Sequence, residues 1–395
     1  MRITQLKTIA DIQTGPFGSQ LHKEDYVETG TPIVTVEHLG NRVFTEQNLP
    51  RVSDSDKARL IKYTLSTGDI VFSRVGSVDR CSYVDKSHDG WMFSGRCLRV
   101  RPTELVDSLY LYYYFCLEET KQFVRNIAVG ATMPSINTKL LGEVEIALPD
   151  LNNQKRIAAV LSSLDDKIEN NQKLNDNLEQ QAQSYFQELF VDNADPEWTT
   201  GTISDLGAVV GGSTPSKAKP EYYTESGIAW ITPKDLSINK SKFVSHGEND
   251  ITELGLKNSS AAIMPEGTVL FSSRAPIGYI AIAAGEVTTN QGFKSVVPKP
   301  EIGTPFVYFF LKNTLPVIEG MASGSTFKEV SGSTMKNVPA VIPDAETLAK
   351  FSDFCAPIFA QQRILEEQNQ SLATLRDNLL PKLMSGEIDV SAVQL

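Results

Sequence analysis

The 395-residue sequence contains one spacing of side chains that resembles the active site of a DNA-cleaving nuclease. Pro149-Asp150 is followed by Asp165-x-Lys167, which would supply the carboxylates and the lysine of such a site. The second pair falls on a predicted helix, however, where residues i and i+2 point apart. The positions 194 residues further on are Phe359 and Gln361, so the second half of the chain lacks these charges. We therefore predict no nuclease site.

Motifs for other kinds of catalysis are absent from the sequence. There is no G-x-x-x-x-G-K-[ST] phosphate loop, no G-x-S-x-G nucleophile elbow and no Asn/Asp-Pro-Pro-aromatic tetrad of an amino-methylating enzyme. The four histidines are dispersed, and the four cysteines show no C-x-x-C spacing. We predict no catalytic residue, no metal site and four free thiols in a reducing compartment.

Polar and basic side chains remain as candidates, because Lys and Arg neutralise DNA phosphates and polar side chains read base edges. The alternative is that they are scattered solvated charges. The candidates in the first half are Gln20, Lys23, Arg74, Arg80, Arg96, Arg99 and Arg101. The candidates in the second half are Lys217, Lys219, Lys234, Lys240, Lys242, Arg274 and Lys294.

A tandem repeat of domain-sized units would position these residues. TGTPIVTVEHL at 29–39 aligns with SGIAWITPKDL at 226–236, and further matches follow in the same order with nearly the same offset. Residues 1–150 and 198–344 are rich in Gly, Pro, Thr and β-branched residues, with short apolar runs that predict strands separated by turns. We interpret these segments as two pseudo-symmetric domains of mixed sheet with short helices.

A long helix is predicted after each domain. After Pro149-Asp150 and after Pro343-Asp344, apolar residues recur at alternating spacings of four and three, as in a coiled coil. Pro357 falls inside the second pattern, so that helix is predicted to begin or kink near it. The seam of the first helix comprises Ile157, Leu161, Leu164, Ile168, Asn171, Asn175, Leu178, Ala182, Tyr185 and Leu189. The seam of the second comprises Ile358, Leu365, Asn369, Leu372, Leu379 and Leu383, with polar residues between them.

Packing of the two helices against each other completes the expected fold. Neither helix can bury its apolar stripe alone, so we expect the two to pack together. Because each helix carries a globular domain at one end, we expect an antiparallel coiled-coil rod that separates the two domains of an α+β protein. Residues 151–197 would form the central spacer helix and linker, and residues 345–395 the distal spacer helix and C-terminal tail. These two segments carry −8 of the total net charge of −11, so the domains are nearly neutral and can present local basic faces.

The segments resemble the specificity subunit of type I restriction-modification systems. The resemblance covers essentially the whole chain. It rests on GGSTPSKAKPEYYTESGIAWITPKDL, SSRAPIG and TTNQGFKSV in the second half, on TGPFGSQLHKEDYVETG in the first, and on the helix that starts LPDLNNQKRIAAVLSSLDDKIENN. AETLAKFSDFCAPIF, at the start of the second helix, departs from the usual Gln-Lys/Arg-Ile opening.

The resemblance implies a non-catalytic, DNA-reading subunit. Each domain would be a target recognition domain for one half of a split, asymmetric sequence in double-stranded DNA. The helices would set the spacing and dock two methyltransferase subunits, and restriction/translocase subunits would complete the complex. S-adenosylmethionine, ATP and Mg would belong to those partners, and this chain would bind no cofactor. The alternatives are an enzyme with its own methyltransferase or nuclease site, and a coiled-coil scaffold that does not bind DNA.

The start of the sequence lacks the apolar stretch of a signal peptide, and no run of about 18 apolar residues occurs. We therefore expect a cytoplasmic protein without membrane contact.

Overall fold

The computed structural model describes residues 2–16, 20–40, 42–324 and 328–393. Residues 17–19 of the TGPFGSQLHKEDYVETG motif lie outside the described residues. Contacts divide the chain into two compact units, one formed by Met1–Lys167 with Ser371–Leu395 and the other by Ile168–Gln370. Each unit therefore combines one repeat domain with part of both long helices.

The first unit contains three sheets, one of which includes a parallel pair among antiparallel strands. Its strands are β1 (Arg2–Gln5), β2 (Ala10–Thr14), β3 (Tyr26–Val27), β4 (Thr31–Val34), β5 (Arg51–Val52), β6 (Ile70–Ser73), β7 (Cys81–Tyr83), β8 (Met92–Phe93), β9 (Cys97–Pro102) and β10 (Glu145–Leu148). Its helices are α1 (Asp54–Arg59), α2 (Ser108–Cys116), α3 (Glu118–Ile127), α4 (Thr138–Gly142) and the start of α5 (Leu151–Gln187). The strands pair in the orders β2-β9-β6-β7, β3-β5-β4-β8 and β1-β10, and β4–β8 is the parallel pair.

The second unit repeats this plan. Its strands are β11 (Thr199–Thr202), β12 (Gly207–Gly211), β13 (Tyr223–Thr224), β14 (Ile228–Ile231), β15 (Phe243–Val244), β16 (Asn249–Ile251), β17 (Val269–Ser273), β18 (Ile277–Ala283), β19 (Thr288–Thr289), β20 (Lys294–Pro298) and β21 (Pro339–Ile342). Its helices are α6 (Ile203–Leu206), α7 (Pro233–Ile238), α8 (Glu253–Lys257), α9 (Thr304–Met321), α10 (Gly332–Lys336) and most of α11 (Ala345–Ser385). The strands pair in the orders β12-β20-β17-β18-β15, β13-β16-β14-β19 and β11-β21. The predicted α+β class with two domains of mixed sheet is confirmed.

The apolar runs GDIVFS and GTVLFS form the central strands β6 and β17, which are covered on both faces. In β6, Ile70 and Phe72 enter one hydrophobic core, whereas Val71 between them enters another. In β17, Val269 and Leu270 are divided between two cores in the same way. Because successive side chains of a strand point to opposite faces, a continuous apolar run is what a strand between two cores requires.

The long helices are antiparallel within the second unit. Asn171 of α5 donates a hydrogen bond to Asn369 of α11 at 2.9 Å, and further along α5 the backbone oxygen of Asn175 accepts one from Gln362 at 3.2 Å. The residue number of the partner on α11 falls as the residue number on α5 rises, so the two helices run antiparallel, as predicted. The Asp150 carboxylate accepts from the backbone N of Asn153 near the start of α5, and Asp344 occupies the corresponding position before α11.

The predicted start or kink of the second helix near Pro357 is wrong as to the start. The helix begins at Ala345 and continues through Pro357 to Ser385. Pro357 lacks the amide hydrogen that would donate a hydrogen bond to the carbonyl oxygen of Asp353. Both residues lie on the exposed face of the helix, where water can donate a hydrogen bond to that oxygen instead. Cys355 and Ile358 on the buried face hold the helix against the core across this position.

The seam residues merge with the cores of the two units. Ile157, Leu161 and Leu383 belong to the core of the first unit, and Ala182 and Ile358 to that of the second. The other residues of the predicted seam are buried or half-buried. The helices are therefore stabilised by the domains as well as by each other. In the part of the chain that the structure describes, no helix has the length and apolar character that crossing a membrane requires.

Candidate nucleic-acid interface

Turns from three distant parts of the sequence meet at one end of the large sheet of the second unit. After β12, the backbone N of Ser213 donates to the oxygen of Thr289 at 2.8 Å. At the end of β17, the N of Ser273 donates to the oxygen of Gly292 at 2.7 Å. The N of Val330 donates to the oxygen of Ser273 at 3.0 Å. The sheet thus assembles a continuous loop surface.

This loop surface carries two predicted basic residues. Arg274 and Lys294 lie 3.4 and 3.8 Å from the carboxylate of Glu329, and Lys294 also donates to the backbone oxygen of Gln291 at 3.3 Å. Thr214 donates to the side chain of Gln291. Partial burial lowers the pKa of Lys294, and the charge of Arg274 acts in the same direction, against that of Glu329. Two cations, Arg274 and Lys294, share the single carboxylate of Glu329, so this cluster of three side chains retains a net positive charge.

The first unit has the same arrangement. Gly15, after β2, donates from its backbone N to the oxygen of Cys97 at 3.2 Å. Arg74 follows β6 as Arg274 follows β17, and its Nη1 donates to the oxygen of Gly95 at 3.0 Å. The backbone N of Ile136 donates to the oxygen of Arg74 at 2.9 Å. The sequence repeat thus places an arginine at the corresponding point of each loop surface.

Arg80 and Arg96 belong to the same turns of the first unit. The backbone oxygen of Arg80 accepts from Ser73 at 2.9 Å, and that of Arg96 accepts from Arg74 at 2.8 Å. The side chains of Arg80 and Arg96 are exposed. The structure therefore brings three of the predicted arginines, Arg74, Arg80 and Arg96, to one end of the sheet.

Gln20 contacts an arginine that the sequence did not single out. The Gln20 side chain accepts from the hydroxyl of Tyr63 at 2.6 Å, and its backbone oxygen accepts from Arg59 at 2.9 Å. Lys23 is exposed. Arg59 has half of its side chain exposed and would add positive charge here. Its only sequence signal was its charge, which it shares with every other basic residue.

The remaining lysine candidates of the second unit lie in exposed segments. Lys217 is exposed in the turn after β12, and Lys219 donates to the hydroxyl of Tyr222 at 3.1 Å. Lys234 pairs with Glu248 at 2.6 Å, with both side chains mostly exposed. Such exposed pairs contribute little to stability, so these ammonium groups can exchange partners.

Three other candidates are occupied inside the fold. Arg99 is 4% exposed, and its Nη2 lies 2.8 Å from Asp11. Arg101 binds the buried Asp69 at 2.7 Å, although 39% of the arginine side chain is exposed. Lys242 is 7% exposed and pairs with Glu179 at 2.7 Å. Their ion pairs favour a structural role, because separating a buried charge from its partner is costly.

The carboxylates of the nuclease-like spacing are used in other ways. Asp150 caps the start of α5, and Asp165 is buried against Arg376 at 2.6 Å. Within the described residues, His, Cys, Asp and Glu form no group of three or more that could hold a metal ion. The loop surfaces offer hydrogen-bond donors and positive charge, which are the groups that bind DNA phosphates and base edges.

Comparison with known sequences identifies relatives of both halves. The chain matches the family described as type I restriction modification DNA specificity domain over residues 1–180 and 196–375. It is 39% identical over 191 residues to the type I restriction enzyme MjaIX specificity subunit of Methanocaldococcus jannaschii, a match that spans 46% of this chain and 44% of that relative. It is 24% identical over 406 residues to the HindI specificity subunit of Haemophilus influenzae, covering 83% and 88% of the two chains.

Comparison with solved structures supports the fold. The structure is similar to the crystal structure of a type I restriction-modification system S subunit from M. genitalium, with a TM-score of 0.61 and 19% identity. The similarity covers 97% of this chain and 95% of that one.

Proposed function

Because the chain belongs to the type I restriction modification DNA specificity family, we propose that it is the subunit that reads the DNA target of a type I restriction-modification complex. Each unit reads one half of a split, asymmetric target in double-stranded DNA. The observation that carries this proposal is the pair of loop surfaces, in which Arg74 and Arg274 follow corresponding strands. Each surface rests on its own sheet and core, so the two readings are separable.

The chemistry belongs to partner subunits in this proposal. Two methyltransferase subunits supply S-adenosylmethionine chemistry, and restriction/translocase subunits supply the ATP- and Mg-dependent steps. This chain acts as a non-catalytic subunit in the cytoplasm. Its four free cysteines agree with a reducing compartment.

The partners dock on the outer faces of the long helices. Part of the predicted seam packs against the domain cores, and Asn171 and Asn369 pair across the two helices. The seam residues therefore act indirectly, by holding the helices in place. In the second unit, Leu174 of α5 and Ile364 of α11 are apolar and 44% and 47% exposed, so each helix has apolar surface that a partner can cover. We assign docking to the exposed sides of the helices that carry these residues. The helices also set the distance between half-sites, because a hydrogen-bonded helix of 37 residues has a fixed length of about 55 Å.

A domain exchange tests the proposal. Residues 1–150 are replaced by the corresponding domain of a family member with another target, and the methylated sequence is read by methylome sequencing. One half-site should change while the other and the spacer stay the same. The reciprocal exchange of residues 198–344 is the matched control and should change only the other half-site. A change of both half-sites in either chimera would show that the two domains do not read separate halves of the target.

A further inference from the structure

Lys242 is buried at the junction between the second domain and both long helices. It lies directly before β15 and is 7% exposed. Its ammonium group is 2.7 Å from the carboxylate of Glu179 on α5 and 2.9 Å from the side-chain oxygen of Gln362 on α11. The ring of Phe359, also on α11, is centred 3.5 Å from the same nitrogen. One side chain of the sheet domain thus contacts both helices.

Neighbouring groups complete the polar network. Lys312 and the hydroxyl of Tyr308, both on α9, also bind Glu179. The carboxylate of Glu366 accepts from the backbone N of Lys242 at 2.8 Å and from that of Phe243 at 3.0 Å. Two lysines therefore face two carboxylates. Burial lowers the pKa of Lys242 to about 8, with Glu179 opposing the shift.

Such a network contributes orientation more than stability. Replacing a buried ion pair by well-packed apolar side chains often leaves the free energy of unfolding unchanged. The ion pair, in contrast, keeps its hydrogen bonds in only one relative orientation of its elements. Here that geometry joins α5 and α11 to the segment that enters β15. β15 pairs with β18, and β18 starts three residues after Arg274 of the loop surface. The contact of Lys242 is thus connected through two strands to the DNA-reading turns.

The first unit has a counterpart in Arg42. The backbone oxygen of Arg42 accepts from Tyr83 in β7 at 2.8 Å, as that of Lys242 accepts from Ile282 in β18 at 2.7 Å. β7 and β18 hold the same place in their sheets. The Nη1 of Arg42 lies 2.6 Å from Asp166 on α5, but this pair is more exposed, at 19% and 57%. In each domain, therefore, a cation from the corresponding loop forms an ion pair with a carboxylate of α5.

We propose that Lys242 and Arg42 are positioning residues that anchor the two recognition domains to the helices, and that the Lys242–Glu179 contact fixes the orientation of the second domain and thereby the permitted spacer between half-sites. This inference rests on the function proposed above. Neither residue reads bases, since Lys242 is buried and Arg42 binds the helix. Loss of the anchor therefore relaxes the spacer and leaves both half-sites unchanged.

The test is methylome sequencing of complexes that carry Lys242→Met, which keeps the length of the side chain and removes its charge. Methylation at sites whose spacer differs by one base pair should rise about tenfold relative to the unaltered complex, the effect of about one charged hydrogen bond on an equilibrium. The matched control is Lys257→Met, because Lys257 is exposed on α8 and pairs with Glu253 of the same helix at 3.4 Å. This control should leave the spacer unchanged.

A second variant keeps the proposal testable if Lys242→Met does not fold. Arg42→Ala removes the more exposed anchor and should relax the spacer in the same way, by a smaller factor. Strict retention of the native spacer in every folded variant, or a change of half-site, overturns the inference. Failure of the proposed function would look different, because the unaltered complex would then show no split target.

Discussion

Asp165 of α5 accepts a hydrogen bond from Nη1 of Arg376 of α11 at 2.6 Å, within the first unit. The hydroxyl of Tyr113 donates to the other carboxylate oxygen at 2.6 Å. Burial raises the pKa of Tyr113, and the charge of Asp165 adds to this effect, so the hydroxyl remains a donor. The carboxylate that resembled part of a nuclease site is thus a link between helices.

Asp165→Ala should destabilise the protein much more than Asp166→Ala. Asp165 is 9% exposed, and its removal leaves the buried hydroxyl of Tyr113 without its acceptor and leaves Arg376 only its pair with Asp377, which costs about 2 kcal/mol. Asp166 is 57% exposed, and loss of its pair with Arg42 should cost about 1 kcal/mol or less. Urea denaturation of the two variants measures the difference. Equal losses would show that the Asp165 network is not buried in solution.

Arg274→Ala should weaken DNA binding by the assembled complex without changing its target. If Arg274 contacts a phosphate, the slope of log affinity against log salt should fall by about one. The matched control is Lys299→Ala. Lys299 is exposed just beyond the far end of β20, whereas Lys294 starts the strand at the loop surface. An equal fall in slope for both variants would contradict the assignment of this surface to DNA.

Lengthening both helices by one heptad should lengthen the spacer. Seven residues add about 10.5 Å, or about three base pairs at 3.4 Å each. Asn175 and Asn369 are 194 residues apart and correspond by the repeat, which suggests an insertion after each of them. In the structure, however, Asn369 pairs with Asn171, so those two insertions would fall on opposite sides of this pair. Insertion after Lys173 and after Glu367 lies between the 171–369 and 175–362 contacts on both helices and preserves them.

Methylome sequencing should then show unchanged half-sites and a spacer longer by about three base pairs. The added pairs also rotate the duplex by about a third of a turn, so activity should fall. Insertion of seven residues in α5 alone is the control, and it should disrupt assembly because it shifts one helix past the other. An active double variant with the original spacer would mean that the helices do not set the distance.

The thiols should react slowly in the native protein. Burial raises the pKa of Cys97 and Cys355 to about 12 and that of Cys116 to about 11, and the pKa of Cys81 is also raised well above its usual value. At pH 8, labelling with a disulfide reagent should be about a hundredfold slower than for a free thiol, since the thiolate reacts.

The same shifts predict a pH dependence of stability. The thiols ionise more readily in the unfolded chain than in the folded protein. Their contribution to the free energy of unfolding is therefore complete below about pH 8.5, and it is lost as the pH rises toward the pKa values of the folded state. The thermal midpoint should therefore fall between pH 8.5 and 10. All four cysteines should react at once in denaturant. Rapid labelling of Cys81, Cys97 or Cys355 in the native protein would contradict their burial.

The sequence determined the plan of the molecule, because that plan depends on local patterns. The apolar runs at Ile70–Ser73 and Val269–Ser273 predicted strands, since burial on both faces requires apolar residues at every position. The repeat predicted two similar domains, and the heptad spacing predicted the two helices. The attachment of one domain to one end of each helix predicted that the helices pack antiparallel.

Only the tertiary structure decided which charges are available to DNA. Arg96 and Arg99 are three residues apart and look alike in the sequence, yet Arg96 is exposed and Arg99 is buried against Asp11, 88 residues away in the chain. The partner of Lys242 is similarly remote, at Glu179. The effect of Pro357 on α11 was overestimated for a related reason. Proline predicts a helix break locally, but burial of Cys355 and Ile358 in the core outweighs one lost hydrogen bond. Long-range packing sets these outcomes, and no local spacing encodes it.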